Sequence, residues 1–374
     1  MKAIDSGKIK KRRGRACSGK QSRDKGNPVQ KTDLKKILQL HISVTLFCSM
    51  ILSAALILPA AGQSSELDVD KLSLNELVQL KLIPVGVGGH IHSKGEWMIG
   101  YSSHYMQMSQ KDYARDKGFM VLPTSMRMQM QMAEIMYGVT NNVTIMLMSS
   151  YKRLSMDHKT LMGEQFTTTA DGIGDIDIML HYSVLRSFKT HLVAIVGVSL
   201  PTGSISQRGA TPTGLNQLLS YPMQLGTGTH DVLTGLSFIN QREFWSWGMR
   251  GQGRVRVGRN EHHYRFGNTY KFDIWASQRV ARWMAMGLRV SGHFVENIRD
   301  ADPRLNPNMV PTADPAMQAY AKWTLTPLLN FFIPSGPLKD NRLVLEGSVP
   351  IYHSRAGAFL EEQWGMKVSW QWSI

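Results

Sequence analysis

Twelve stretches of the chain alternate apolar with polar or sulfur-bearing side chains, and a period of two marks a strand with two unlike faces. In the first, Trp97, Ile99, Tyr101 and Tyr105 share a face opposite Met98, His104, Met106 and Met108. In the second, Ala133, Ile135, Tyr137 and Val139 oppose Met126, Met128, Met130, Met132, Glu134 and Met136. The third sets Val143, Ile145, Leu147 and Tyr151 against Met146 and Met148, and the fourth sets Ile176 to Val184 against Asp175, Asp177, Met179 and His181. Less methionine-rich rows follow from Leu192, Val232, Trp245, Tyr270, Met284, Trp323, Leu343 and Trp364.

Connection lengths sharpen this into an architecture. Links after the even segments are short, around Asn141, Ser187, Arg242, Ala281 and Gly336, whereas those after the odd ones are mostly long and polar, with 201–228 and 298–318 the longest. Long–short alternation over an even number of amphipathic strands is what an outer-membrane barrel requires. Closure pairs every strand edge, so such strands can span lipid where an open sheet cannot. Aromatic residues gather near the strand ends, as an interfacial girdle needs. A soluble all-β sandwich would also alternate, but it does not account for the loop asymmetry. The expectation is an all-β, antiparallel up-and-down transmembrane β-barrel of about twelve strands over 96–374, in the cell outer membrane, with the lipid bilayer as its partner.

Composition bears mainly on the N-terminus. Of the +15 net charge, residues 1–62 hold +10 and the other 312 residues only +5. The basicity is a tail property, which argues against a nucleic-acid partner. An apolar run, ISVTLFCSMILSAALIL, follows Lys35 and Lys36 and ends near Ala60 and Gly62, small residues suited to signal peptidase. Residues 1–62 are therefore expected to be a secretory signal peptide with a long basic n-region, cut near Gly62–Gln63. Cys17 and Cys48 both fall within it, so the exported chain would have no thiol for a disulfide or a thiolate metal site. Residues 63–95 are expected to form a periplasmic leader or plug, helical or irregular over 66–82, ending in Gly86-Val87-Gly88-Gly89-His90-Ile91-His92.

Two resemblances bear on identity. The C-terminal Val368-Ser369-Trp370-Gln371-Trp372-Ser373-Ile374 resembles the terminal strand read by the barrel assembly machinery, though that strand usually ends in Phe and this one ends in Ile374. Gly172-Ile173-Gly174-Asp175-Ile176, followed by Gly197-Val198-Ser199-Leu200-Pro201-Thr202-Gly203, resembles the GxGD … LPTG pattern of the MetA-pathway of phenol degradation family. The Gly86–Met108 segment, the methionine row and Asn306-Pro307 to Pro315 resemble its Met/His-rich branch. The likeness spans about residues 84–374 and implies an outer-membrane barrel transporter, without naming a solute.

A charged group at the bilayer midplane costs roughly 2–4 kcal/mol, so Glu134 must point into the lumen and carries the methionines of its row with it. Thirteen of the 21 methionines after residue 62 lie between Met98 and Met162, which is local enrichment. Two explanations stand. Thioethers are adaptable fillers that would pack the lumen against a leader or an inward loop. Alternatively, thioether and imidazole suit soft cations, so that His90, His92, Met98, His104, Met106, Met108, Met126, Met128, Met130, Met132, Met136, Met146, Met148, Met156 and His158 would form a path binding Cu(I) or Ag(I). Met156, Asp157, His158 and Met162 would then sit on an outer loop and capture the cation. Arg250, Arg254, Arg256 and Arg289 would form a basic wall facing Glu134, Asp175 and Asp177, as a transverse field or as plain ion pairing.

No Gly-x-Ser-x-Gly, His-Glu-x-x-His or phosphate loop is present, and the expectation is that the chain is not an enzyme. The resulting expectation is a channel or transporter passing a small solute or metal ion, with copper-type cations or their complexes first. Uptake of hydrophobic or aromatic compounds, and a non-conducting metal-sequestering or structural barrel, are the alternatives.

Overall fold

The computed structural model describes residues 89–374, apart from 111–117, 188, 243, 282, 334–337, 339 and 358–359. The expected signal peptide and most of the expected leader lie outside the described residues. In chain order the strands are β1 (Trp97–Ser109), β2 (Val121–Thr140), β3 (Val143–Thr160), β4 (Gln165–Ile173), β5 (Ile176–Arg186), β6 (Thr190–Leu200), β7 (Arg208–Thr211), β8 (Gly214–Leu218), β9 (His230–Gln241) and β10 (Trp245–Val257). They continue as β11 (Thr269–Ala281), β12 (Met284–Val295), β13 (Tyr320–Phe332), β14 (Asn341–Arg355) and β15 (Glu361–Ser373).

All but β7 and β8 belong to one antiparallel sheet, which closes because β1 pairs with both β2 and β15 while β2 also pairs with β3. The seam is finished by Trp97 and Ile374, which exchange two backbone hydrogen bonds of 3.0 and 2.8 Å. No edge is left for lipid to desolvate. β4 and β5 are one spanning strand: β3 pairs with β4 along its outer part and with β5 along its inner part. Between the two registers, five residues of that strand (173 to 177) stand opposite four of β3 (148 to 151), a bulge at Gly174-Asp175. Twelve spanning strands result, each corresponding to one of the twelve alternating segments.

The faces are those the pattern requires. Trp97 and Ile99 are 48% and 39% exposed to the surroundings while Met98 between them is 2% exposed. Ile135, Ile145, Leu147, Ile178 and Leu180 are exposed likewise, and Met136, Met146 and Met179 are buried. Around the outside, Trp97 packs on Tyr137 and Trp283 on Phe331 near the end bearing the short turns, and Tyr105 on Trp364 farther along. That end also holds the start of β1 and the end of β15, which makes it the periplasmic one.

One expectation needs correction. The connection after the third segment is not a long loop. β3 and β4 continue as a tall hairpin turning at 161–164, so Met156 and His158 lie on a strand and are buried. Only Met162 of that group sits on the turn, at 96% exposure. The long polar loop after β6 contains the β7–β8 hairpin, whose short strands carry no lipid-facing pattern. The inward face also carries apolar side chains: Val193, Ile195, Leu233, Ile239, Trp275, Leu328 and Val344 fill part of the lumen.

Candidate functional site: a lumenal chamber

Cross-strand register gathers the methionines into tiers. Met98 faces Met136, Met136 faces Met146, and Met146 faces Met179, so four adjacent strands contribute one methionine each at one level. Towards the outside, Met106 faces Met128, and Met108, Met126 and Met156 form a second cross-strand row. Between them lie Glu134, Met132 and, opposite His104, Met130.

Residues 89–92 form the floor by entering the periplasmic end of the barrel. The Gly89 N–H donates to Ser237 Oγ (3.0 Å) and the His92 N–H to Thr144 Oγ1 (2.9 Å). Ile91 packs on the cluster of Met98, Met136, Met146, Met179, Val193, Ile195 and Leu233. His90 and His92 meet edge to face at 5.3 Å between ring centroids. They are therefore lumenal and not part of a solvated linker.

The roof is made by the outer loops, and residues of the GxGD and LPTG motifs hold it. Asp175, at the bulge, accepts hydrogen bonds from the N–H of Gly203 (3.0 Å), the N–H of Thr227 (3.0 Å) and the hydroxyl of Thr227 (2.7 Å). Thr202 donates to the Gly174 carbonyl at 2.9 Å, and the Lys152 ammonium to the Leu225 carbonyl at 2.7 Å. The two ends of the loop touch through Gly203 and Gly226: a Cβ on Gly203 would lie 2.6 Å from Gly226 Cα, so the contact requires glycine. Thus clasped, the loop turns inward and buries Leu219, Met223 and Leu225 against Met126, Leu154 and Met156. Two further loops join it. Tyr221 packs with Tyr264 and Ile298, the Asp302 N–H donates to the Tyr221 hydroxyl at 2.9 Å, and Arg304 holds the Asp302 carboxylate at 2.7 and 2.9 Å. Burial opposes ionisation of Asp302, but the hydrogen bonds from Arg304 outweigh it and hold the carboxyl below its ordinary range. Burial pushes the Tyr221 and Tyr264 hydroxyls up.

Between floor and roof is a chamber of about 780 Å³. One side carries His104, Met106, Met108, Met126, Met128, Met130, Met132, Met146, Met148 and Met179; the other carries Arg250, Arg254, Arg256, Lys271, Arg289 and Lys322 among other polar groups, with Lys367 at the junction beside His104. Most of these cations have partners that the sequence pattern did not single out. Arg254 pairs with Asp177 (2.5 Å) and Asp231 (3.4 Å), and Arg256 also pairs with Asp231. Arg289 makes a two-pronged contact with Glu346 (2.8 and 3.2 Å), Lys271 lies 3.7 Å from Asp273, and Lys322 pairs with Glu362. Glu134 accepts from the Gln371 amide at 2.9 Å. Asp231, Asp273 and Glu346 sit in the inward phase of their strands, a signal that was present in the sequence, whereas Glu362 is out of phase and turns inward only through the bulge at Gln363.

The structure thus divides the candidate residues into three groups. Met106, Met108, Met126, Met128, Met130, Met132, Met146, Met148 and His104 come together on the chamber wall. Met98, Met136, His90 and His92 belong to the floor. Met156 and His158 are covered at the roof level, His158 stacked on Phe166 with centroids 4.8 Å apart. The Asp175 carboxylate is taken up by the loop clasp. Among the described residues, no group of three or more His, Cys, Asp or Glu side chains is placed to hold a metal.

A closed twelve-stranded barrel with a lipid-facing apolar band, aromatic rims, short periplasmic turns and long outer loops is an outer-membrane β-barrel protein. No family model matches the sequence, and no curated protein matches it. Solved structures match in fold. The COG4313 outer membrane channel from Pseudomonas putida F1 aligns at a TM-score of 0.51 and 12% identity, over 78% of this chain and 99% of that one. The translocator domain of the autotransporter NalP from Neisseria meningitidis aligns at 0.41 and 8%, over 75% and 90%. The toluene transporter TbuX of Ralstonia pickettii aligns at 0.37 and 11%, over 75% and 90%. At these identities the likeness is one of architecture.

Proposed function

We propose that the protein is an outer-membrane channel for small amphipathic solutes, above all aromatic compounds bearing a polar or charged group. The observation that carries this is the two-sided chamber, in which a thioether wall faces a wall of ion-paired side chains. Its volume is of the size that encloses one small organic molecule. Sulfur–aromatic contacts contribute about 0.3–1.5 kcal/mol each, and the facing arginines and lysines supply hydrogen-bond donors for the polar end. The fold shared with a protein described as an outer membrane channel supports the same reading.

The test is solute flux into proteoliposomes holding the refolded chain. Benzoate is expected to enter faster than a sugar of similar size. Replacing Met128, Met130 and Met132 together by Gln should lower benzoate flux roughly tenfold, the loss of one or two such contacts, and leave sugar flux unchanged. Equal benzoate flux in both proteins would refute the role of the wall, and absence of flux for either solute would refute the channel. A second reading, handling of copper-type cations, is favoured by one observation: imidazoles lie beside the methionine tier at the floor.

A further inference from the structure

We propose that the floor of the lumen is a binding site for one soft monovalent cation, Cu(I) or Ag(I), held by the imidazoles of His92 and His181 and the thioethers of Met146 and Met179. The site lies at the base of the chamber, where Met146 and Met179 line it, and does not depend on solute passing through it.

Register places the four groups. Met146 faces Met179 across β3 and β5, and two residues nearer the periplasm Thr144 faces His181. Facing residues in an antiparallel pair have Cα atoms about 4.5–5.5 Å apart, and successive inward positions on a strand are about 7 Å apart. The His92 N–H donates to the Thr144 hydroxyl, which sets His92 over that same row, and the His181 ring lies beside both His90 and His92.

The imidazoles are presented as ligands. His92 is 5% exposed and His181 3%. Among the described residues, Nε2 of His92 is buried without a hydrogen-bond partner, and the His181 ring is buried with one nitrogen towards the His90 backbone and the other left without a partner. Leaving such a group unsatisfied costs about 1–3 kcal/mol, a cost that a bound cation would remove. The other nitrogen of His92, Nδ1, sits 3.2 Å from Glu96 Oε1. A carboxylate there takes the Nδ1 proton in a hydrogen bond and leaves the Nε2 lone pair free, the arrangement by which carboxylates orient metal-binding histidines.

The donor set selects the ion. Two neutral sulfurs and two neutral nitrogens suit Cu(I) and Ag(I) and offer little to Zn²⁺ or Mg²⁺, which call for thiolate, carboxylate or water. Met98 and Met136 continue the tier on the two neighbouring strands.

The test is calorimetric titration of the folded chain in detergent with silver nitrate in a chloride-free buffer. Wild type is expected to bind one Ag(I) per chain. Met146→Leu with Met179→Leu, and separately His181→Phe, should each weaken it by about tenfold or more, while Met128→Leu with Met130→Leu and Met132→Leu should leave it unchanged. Absorption spectroscopy of the protein loaded anaerobically with Cu(I) should show both sulfur and nitrogen neighbours. No silver binding by wild type, unchanged affinity in the floor variants, or a loss that follows the chamber variants would each overturn the proposal. Heat-modifiable migration reports folding; Leu keeps the volume of Met, so the methionine pair decides the matter if His181→Phe does not fold. Benzoate flux is read separately, so failure of the metal site leaves the channel proposal standing, and the reverse.

Discussion

If the Asp175 clasp holds the long loop in the mouth, breaking it should open the chamber to the outside. Asp175→Ala removes three hydrogen bonds of 2.7–3.0 Å. A hydrogen bond to a charged group contributes about 1.5–3 kcal/mol; the three share one half-buried carboxylate and do not add fully, so the loss is about 3 kcal/mol. The burial of Leu219, Met223 and Leu225 is untouched, and the loop remains mostly seated. A change of that size raises the open fraction by about 150-fold. The assay uses the scarcity of thiols: the chain has two cysteines, Cys17 and Cys48, which are changed to serine. Met128→Cys then puts one thiol in the chamber, and a membrane-impermeant maleimide added to intact cells labels it at a rate proportional to the open fraction. Met162→Cys on the exposed β3–β4 turn calibrates the reagent. Labelling at 128 should rise roughly 100-fold in Asp175→Ala and about tenfold in Asp175→Asn, whose neutral bonds are about half as strong. An unchanged rate in Asp175→Ala would refute the clasp, and a parent that labels at 128 as fast as at 162 would refute the roof.

The same labelling assay serves two further predictions. Gly203→Ala forces a Cβ to within 2.6 Å of the Gly226 backbone, and should open the mouth as Asp175→Ala does; a rate equal to the parent's would contradict the required approach. Asp302 has its carboxyl held below the unfolded value of 3.8, so its contribution to the loop latch is full above that value and disappears as pH falls through the lower folded one. The ratio of labelling at 128 to that at the exposed 162, which cancels the falling thiolate fraction, should stay flat down to about pH 5 and climb below about pH 4, and Asp302→Asn should remove the acid-side rise while starting higher; an acid rise of the same size in Asp302→Asn would assign it elsewhere. For the ion-paired wall, Glu346→Gln leaves Arg289 facing a neutral amide where both partners are buried. It should cost about 3 kcal/mol, seen as a lower temperature for the heat-modifiable shift, and adding Arg289→Met should recover most of that loss.

The twelve strands were legible because lipid and lumen impose opposite chemistry on alternate residues, and a one-residue slip would put Glu134 or Asp177 in the bilayer. Where that pressure stops, so does legibility. β4, with Thr167, Thr168 and Thr169 in succession, stands beyond the lipid-facing part of its strand and has no reason to alternate. The inserted floor had left a trace that the alternation alone concealed: β6 reads THLVAIVGVSL, apolar on both faces, as expected of a strand packed on both sides. Asp231, Asp273 and Glu346 were legible too, since each is the one acid in its segment's inward phase, whereas Glu362 depends on a bulge that alternation does not announce. What no sequence spacing conveys is that Asp175 meets Gly203 and Thr227, 28 and 52 residues on. That contact exists only once the bulge and the loop are both in place.

The methionine enrichment answers to more than one need, and the tiers show why a single explanation for it is insufficient. Met98 and Met136 are sealed beneath residues 89–92, and Met126 and Met156 beneath Leu219 and Met223. At both levels an irregular segment lies against a strand wall, where an unbranched, flexible side chain fills gaps that β-branched residues cannot. Met130 and Met132 have no such cover and face the chamber, and Met128 faces it too while packing on the roof cluster. Leucine would serve the sealed tiers nearly as well, because volume-conserving exchanges there are cheap. The sulfur itself matters where a methionine meets something other than a packed side chain: a solute on the open wall, or a cation beside His92 and His181. The packing explanation and the chemical one therefore apply to different residues of the same row, and Met→Leu exchange, tier by tier, tells them apart.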